Sequence, residues 1–172
     1  WVYPASLTKI MTLYMAFEAL ERGDLALSTR LRTSRHAASM PPSELGLQAG
    51  DRIRVEDVVY ALVTKSANDA AAVLAEAIGG SEAGFARMMT TRARQLGMRS
   101  TTFRNASGLP DGGQRTTARD MIRLGLRIQQ DFPDWYRIFA TERFRYGNRT
   151  YRNHNRLLAS YAGTDGIKTG YI

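Results

Sequence analysis

Ser6 and Lys9 place a hydroxyl and an amine three residues apart at the start of a predicted helix. Side chains at i and i+3 share one helix face, with Cβ atoms roughly 5–6 Å apart, so the two groups can meet. Lysine can take a serine's proton where burial or positive neighbours lower the lysine pKa. A helix N-terminus adds free N–H groups that favour an anionic intermediate. The pair predicts a lysine-activated serine, although this spacing alone also fits a helix cap beside a surface charge.

A second polar group, Ser66 and Asn68, lies in a short predicted connection between two helices. Side chains at i and i+2 of a tight link could both project toward one cleft. Serine and asparagine are also common capping residues, so the pattern alone fits a purely structural cap. The adjacent Lys65 is interpreted as a surface charge.

The third group, Lys168, Thr169 and Gly170, lies where a turn is predicted to enter a strand. A cation at a strand edge could hold a substrate carboxylate, and a neighbouring hydroxyl could add a hydrogen bond. Glycine would let another backbone approach closely. Neighbouring side chains of a regular strand point to opposite faces, which favours Lys168 over Thr169 as the group that faces a site.

Histidine offers a rival route to an activated serine, and the chain contains two, His36 and His154. Neither lies in a sequence typical of a serine–histidine site, so each is interpreted as an ordinary surface or core histidine. Two distant histidines also make a poor zinc site, and the chain has no cysteine. No metal and no other cofactor is therefore predicted.

Five helices are predicted to position these groups, from apolar residues at helical spacing and, for four of them, from glycine or proline where the pattern ends. They cover residues 6–22, 55–63, 69–78, 81–96 and 117–130. A short strand is predicted within 30–33, an extended segment and turn over 101–110, and short extended pieces mixed with loops over 144–172.

The composition fits a globular domain, since 44% of the 172 residues are hydrophobic and 23% are charged. No apolar run approaches the roughly 20 residues of a membrane-spanning helix. The net charge of +8 raises nucleic acid as a partner. The arginines are scattered and not interleaved with aromatic residues, so nucleic-acid binding is not predicted. Anionic cell wall or a membrane surface would also suit the charge.

The three groups form one ordered set of motifs: S-x-x-K, S-x-N and K-T-G, each present once. This set resembles the penicillin-binding proteins and serine β-lactamases. The flanking sequences resemble more narrowly the low-molecular-mass D-alanyl-D-alanine carboxypeptidases, peptidase family S11. Those segments are residues 4–12, 65–71, 103–110 and 165–170, so the resemblance runs nearly end to end.

The resemblance implies a role for each catalytic residue. Ser6 would attack the carbonyl between the last two D-alanines of a peptidoglycan stem peptide, and Lys9 would accept its proton. Ser66 would relay a proton to the leaving D-alanine. Asn68 would hydrogen-bond the peptide backbone and Lys9.

The resemblance also implies the binding groups. Lys168 and Thr169 would receive the terminal carboxylate, with Gly170 giving room. The oxyanion hole would consist of the backbone N–H groups of Ser6 and Tyr171. β-Lactams would mimic the dipeptide and trap Ser6. Many relatives carry histidine or threonine where this chain has Tyr171, so the role of that side chain stays open.

The implied fold is α/β (α+β), a DD-peptidase/β-lactamase-like domain with a helical lobe against an antiparallel sheet flanked by helices. One domain is predicted over 1–172, with the helical lobe at about 28–145 and sheet-side parts at 1–27 and 146–172. We expect the chain to be a fragment, because family members have strands before the first motif and after the third. The protein is expected to be periplasmic or otherwise extracytoplasmic, secreted through a signal peptide outside this chain, with possible membrane association through other missing segments.

Three alternatives stay open. A class A β-lactamase shares the motifs but would want Ser-Asp-Asn in place of Ser66-Ala67-Asn68 and a glutamate before K-T-G for deacylation; Glu76, Glu82 and Glu142 are unsuitable candidates. A D,D-endopeptidase of the same superfamily would cut crosslinks and carries the same motifs. A non-catalytic wall-binding homologue would keep the fold, although every expected polar side chain is present.

Overall fold

A computed structural model describes residues 1–171 of the chain. Its central helix is α1, Thr8–Glu21. A 3-10 turn, Ala5–Leu7, leads directly into it. The helix is buried on nearly all sides, including Met11, Leu13 and Phe17. A helix that is apolar all round is stable only inside a core, and burying each large side chain contributes about 1.5–3 kcal/mol.

Eleven further helices and strands complete the order of elements in the described chain. They are β1 Arg30–Arg32, α2 Arg35–Ala38, β2 Arg52–Arg54, α3 Val55–Thr64, α4 Asn68–Gly79, α5 Glu82–Gln95, α6 Ala118–Asp131, α7 Pro133–Tyr136, β3 Arg143–Tyr146, β4 Arg149–Arg152 and α8 Leu157–Ser160. A second 3-10 turn, Arg137–Ala140, follows α7.

The five predicted long helices are confirmed, with ends that differ by one or two residues at most. Local signals explain this agreement. Ser81 and Thr117 cap α5 and α6 by accepting hydrogen bonds from the N–H groups of Gly84 and Asp120. Gly79 and the left-handed Gly80 end α4, and a Cβ on Gly79 would lie 2.5 Å from Phe85 N, so α4 and α5 pack in close contact there.

The strands form two separate two-stranded antiparallel sheets, β1–β2 and β3–β4. In the first, Leu31 lies opposite Ile53 and both side chains are buried, which ties this sheet to the core. The mixed α and β class is therefore confirmed, with sheets that are small.

The predicted strand at Lys168-Thr169-Gly170 is wrong. Residues 165–171 have no regular secondary structure and, in the described chain, donate or accept no backbone–backbone hydrogen bond. A strand needs a paired neighbour, and nothing within residues 1–171 pairs with this segment.

The core joins α1 to the later helices through aromatic contacts. Phe17 packs edge-on against Phe132 and Phe139 and stacks on Trp135, with ring centroids 5.6–6.5 Å apart. Within residues 1–171 no helix has the length and hydropathy needed to cross a membrane. The division into a helical lobe at about 28–145 and two sheet-side parts stays a prediction.

Candidate active site

Lys9 is buried in α1 with no exposed surface, yet its ammonium group has two good acceptors. Nζ donates to Asn68 Oδ1 at 2.8 Å and to the Ser107 carbonyl at 2.6 Å. Burial, and next the charge of Lys168, lower the pKa of Lys9 from 10.5 to about 7, although Asp69 and Glu82 oppose this shift. A buried lysine with a pKa near neutrality is suited to act as a base.

Ser6 lies in the 3-10 turn before α1, where the chain is forced into an unusual conformation. Its neighbour Ala5 has φ +47°, in the left-handed region that non-glycine residues rarely adopt. Gly108 packs against this turn so closely that a Cβ on it would lie 1.8 Å from the Ala5 carbonyl oxygen. Gly170 contacts it from another side, with its own Cβ position 3.2 Å from Leu7 Cγ. The backbone around Ser6 is therefore held by two close glycine contacts.

Ser66 and Asn68 connect α3 to α4 in a strained turn. Ser66 has φ +57°, and it and Ala5 are the two non-glycine residues with positive φ in the described chain. Such strain costs about 1–3 kcal/mol and concentrates at functional sites. The Ser66 hydroxyl is buried without a hydrogen-bond partner among residues 1–171. Each end of the Asn68 amide makes one hydrogen bond: Oδ1 accepts from Lys9, and Nδ2 donates to the Pro41 carbonyl at 2.8 Å.

A cavity of about 250 Å³ brings these groups together. Its lining residues are Ser6, Pro42, Ser43, Ser66, Asn68, Ser107, Gly108, Leu109, Pro110, His154 and Tyr171. Four predicted site residues therefore line one cavity, and Lys9 lies beneath it through its bonds to Asn68 and Ser107. Lys168, Thr169 and Gly170 are not in the cavity wall.

Lys168 is nevertheless close enough to influence the cavity. Its charge lowers the pKa of Lys9 and of His154. Burial lowers the pKa of Lys168 itself from 10.5 to about 8, and Nζ donates to the adjacent Thr169 carbonyl at 3.2 Å. His154 lines the cavity, and Lys9 and Lys168 lie near it, while none of the lining residues in the described chain is a carboxylate. Such surroundings favour an anionic ligand.

Two backbone N–H groups were expected to form an oxyanion hole, those of Ser6 and Tyr171. Both residues line the cavity. Neither N–H donates to a backbone carbonyl within residues 1–171. Their role as an oxyanion hole stays a prediction.

Three features of the site were not predicted from the sequence. His154, interpreted as an ordinary histidine, lines the cavity, and burial followed by Lys168, Lys65 and Lys9 lowers its pKa. The Ser107 carbonyl, an acceptor for Lys9, lies in the 103–110 segment and carries no side-chain signal. Asp69 follows Asn68 and is almost completely buried. Its position beside the S-x-N motif was the one available signal.

A second, larger cleft in the described chain does not bring a serine and a lysine together. This cleft, about 670 Å³ between α1 and α5, contains the Glu18–Arg92 ion pair. Its lining has one hydroxyl side chain, Thr91, and contains no lysine or histidine. Among residues 1–171, no three His, Asp or Glu side chains cluster as metal ligands would.

The arrangement can perform nucleophilic acyl transfer. It combines a hydroxyl in a 3-10 turn, a buried amine that is neutral in about half the molecules near pH 7, two N–H groups that the backbone does not use within residues 1–171, and the nearby Lys168. A carbonyl compound with a nearby carboxylate fits that chemistry.

Comparison with known proteins agrees with this chemistry. All of residues 1–172 match the family model described as D-alanyl-D-alanine carboxypeptidase, peptidase S11. The D-alanyl-D-alanine carboxypeptidase DacF of Bacillus subtilis (strain 168) is 36% identical over 177 residues, covering 98% of this chain and 44% of that protein.

Two solved structures show the same fold. Penicillin binding protein 5 from Haemophilus influenzae superposes with a TM-score of 0.94 at 32% identity, covering 99% of this chain and 51% of that one. A penicillin-binding protein from Listeria monocytogenes in its ampicillin-bound form gives a TM-score of 0.85 at 31% identity, covering 98% and 69%. The predicted DD-peptidase-like fold is confirmed, and the chain spans about half the length of the curated relatives it matches.

Proposed function

Because the chain belongs to the D-alanyl-D-alanine carboxypeptidase family, we propose that the whole protein is a serine-type carboxypeptidase. Its reaction removes the terminal D-alanine from peptidoglycan stem peptides through an acyl-enzyme on Ser6. The observation that carries this proposal is the buried Lys9, whose pKa is lowered to about 7 one helical turn from a cavity-lining serine.

Acylation begins with neutral Lys9. Its Nζ lone pair takes the Ser6 hydroxyl proton as Oγ attacks the carbonyl carbon of the D-Ala-D-Ala peptide bond. The carbonyl electrons move onto oxygen, and the N–H groups of Ser6 and Tyr171 stabilise the resulting oxyanion. Ser66 relays the proton that Lys9 took up to the leaving nitrogen. The carbonyl re-forms as the C–N bond breaks, and D-alanine departs, which leaves Lys9 neutral.

Deacylation then needs water. The water adds to the Ser6 ester with Lys9 again as proton acceptor, and the Ser6 oxygen leaves with a proton. No carboxylate among residues 1–171 lines the cavity, so this part of the protein supplies no acidic side chain to activate the water as class A β-lactamases require. We expect a β-lactam adduct on Ser6 to be long-lived.

Substrate recognition rests on the charge around the cavity. Lys168 and Thr169 receive the terminal carboxylate, with Gly170 allowing the segment to approach the Ser6 turn. Support comes from the placement of Lys168, which is near enough to Lys9 and His154 to lower the pKa of each. An anion bound there would offset that repulsion. Asn68 holds Lys9 and hydrogen-bonds the peptide backbone.

β-Lactams are proposed as covalent inhibitors, since a Listeria relative was solved in its ampicillin-bound form. An extracytoplasmic location is proposed because the cell-wall peptides are found there.

The test is release of D-alanine by the full-length protein. Incubation with a stem pentapeptide ending in D-Ala-D-Ala should release one equivalent of D-alanine, and the Ser6→Ala variant should release none. Wild type that leaves the pentapeptide intact but cleaves a crosslinked dimer would identify an endopeptidase instead. Rapid, continuous penicillin hydrolysis would identify a β-lactamase, and inertness toward all three would indicate a non-catalytic homologue.

A further inference from the structure

The carboxylate of Asp69 is one of the most heavily hydrogen-bonded groups near the site. It is 1% exposed and has no Lys or Arg partner within salt-bridge distance in the described chain. Instead it accepts from the backbone N–H groups of Leu45, Gly46 and Leu47 at 2.9–3.1 Å and from that of Ala70 at 2.8 Å. Four amide dipoles therefore stabilise its charge.

These bonds hold the segment 41–47 against the start of α4. Leu45 and Leu47 are buried on either side of Gly46. The N–H groups of all three residues donate to Asp69 Oδ2, and that of Leu45 also lies 3.0 Å from Oδ1. Replacing one carboxylate oxygen by NH₂ would set a donor against these donors, because an amide has one acceptor oxygen where a carboxylate has two.

The same segment holds the second motif in place. The Pro41 carbonyl accepts from Asn68 Nδ2, and the Ser43 carbonyl accepts from Asn68 N at 2.6 Å. Ser43 Oγ also donates to the Lys65 carbonyl at 2.8 Å, just before the strained Ser66. Pro42 and Ser43 form part of the cavity wall.

We infer that Asp69 is a positioning residue of the active site, which fixes the segment 41–47 so that this segment in turn fixes Asn68 and Ser66. This role rests on the proposed function, and it adds a residue outside the three motifs. Asp69 does not touch the substrate cavity; it acts through Asn68, the hydrogen-bond partner of Lys9.

Asp69 also acts on Lys9 by its charge. Asp69 and Glu82 oppose the burial and the Lys168 charge that lower the pKa of Lys9. Removing the Asp69 charge therefore lowers the pKa of Lys9 further. The geometric effect and the charge effect are separable, since Asp69→Asn changes both while Asp69→Glu keeps the charge and changes only the fit.

The experiment measures the acylation rate constant of the full-length protein with labelled penicillin, between pH 5 and pH 9. In the curve of acylation rate against pH, the acid limb is the part that rises with pH and the plateau is the constant rate above it. For Asp69→Asn we expect the plateau rate to fall about 10- to 100-fold, as for a misplaced catalytic group, and the acid limb to move to lower pH. For Asp69→Glu we expect a similar fall without movement of the limb. Amides 45–47 should lose protection from hydrogen exchange in both variants.

Asp120→Asn is the matched control. Asp120 is 4% exposed, and its Oδ2 accepts from Ser100 N at 2.9 Å and Thr101 Oγ at 2.7 Å, away from the cavity lining. The Asp120→Asn protein should have a lower free energy of unfolding. Its acylation rate per folded molecule should keep the wild-type plateau and acid limb.

The inference is overturned if folded Asp69→Asn and Asp69→Glu proteins both keep the wild-type plateau. It is also overturned if Asp120→Asn lowers the plateau as much as they do. If Asp69→Asn does not fold, Asp69→Glu and the exchange of amides 45–47 decide the question. A wild-type protein that penicillin does not acylate would instead refute the proposed function.

Discussion

The pH dependence of Ser6 acylation should report the pKa of Lys9 directly. At its ordinary value of 10.5, only about 1 lysine in 3,000 would be neutral at pH 7. With the pKa lowered to about 7, about half are neutral, a change worth about 5 kcal/mol between the two protonation states. The acylation rate should therefore rise with pH through about 7 and level off above 8, and at pH 5 it should be about 100-fold below the plateau.

The assay is quenched-flow acylation by labelled penicillin, with the full-length protein, from pH 5 to pH 9. Lys168→Met should move the limb to higher pH, because the Lys168 charge is the second cause of the lowered Lys9 pKa. His154 also titrates on the acid side, with a pKa below 6.5, so His154→Asn serves as the control and should keep the limb near pH 7. A rate that is flat from pH 5 to pH 9, or a limb that Lys168→Met leaves in place, would refute the assignment of Lys9 as base.

Three further outcomes follow from the same contacts. Because the folded protein lowers the Lys9 pKa, the unfolded chain binds more protons than the folded one between pH 7 and 10.5. In urea titrations, the free energy of unfolding of wild type relative to Lys9→Met should therefore rise by about 3–4 kcal/mol from pH 7 to pH 10. The same pH dependence of unfolding in both proteins would contradict this. Gly108→Ala, with φ +90° and its Cβ against Ala5 O, should lower stability by about 3 kcal/mol or more and abolish acylation, whereas Gly112→Ala, with no atom within 4 Å, should leave both unchanged. Asn68→Ala should slow acylation about 100-fold, measured with labelled penicillin, because Lys9 loses an acceptor and the segment at Pro41 loses a donor; an unchanged rate would contradict the role of Asn68.

The helices were predictable because their signals are local. Ser81 and Thr117 precede their helices as capping residues, and glycine or proline follows four of the five apolar patterns. The Lys168 segment shows the opposite case. Its sequence has the character of a strand, but strand formation depends on a neighbour supplied from elsewhere, and the described chain supplies none.

In the candidate site, too, local features were predictable from the sequence and contacts between distant residues were not. The motif residues could be picked out by type and spacing, but the environment of Lys9 could not, because its acceptors Asn68 and Ser107 are 59 and 98 residues away. His154 reaches the cavity from a segment without any motif. Asp69 was predicted only as the first residue of the helix over 69–78, and its bonds to residues 45–47 depend on tertiary packing.

The most direct test of the account is to locate the covalent adduct. The full-length protein is treated with penicillin, digested and analysed by mass spectrometry. We expect the added mass on the peptide containing Ser6, at one equivalent per protein, and no adduct in Ser6→Ala. An adduct on another residue, or unmodified wild-type protein after prolonged treatment, would contradict the assignment of Ser6 as the nucleophile.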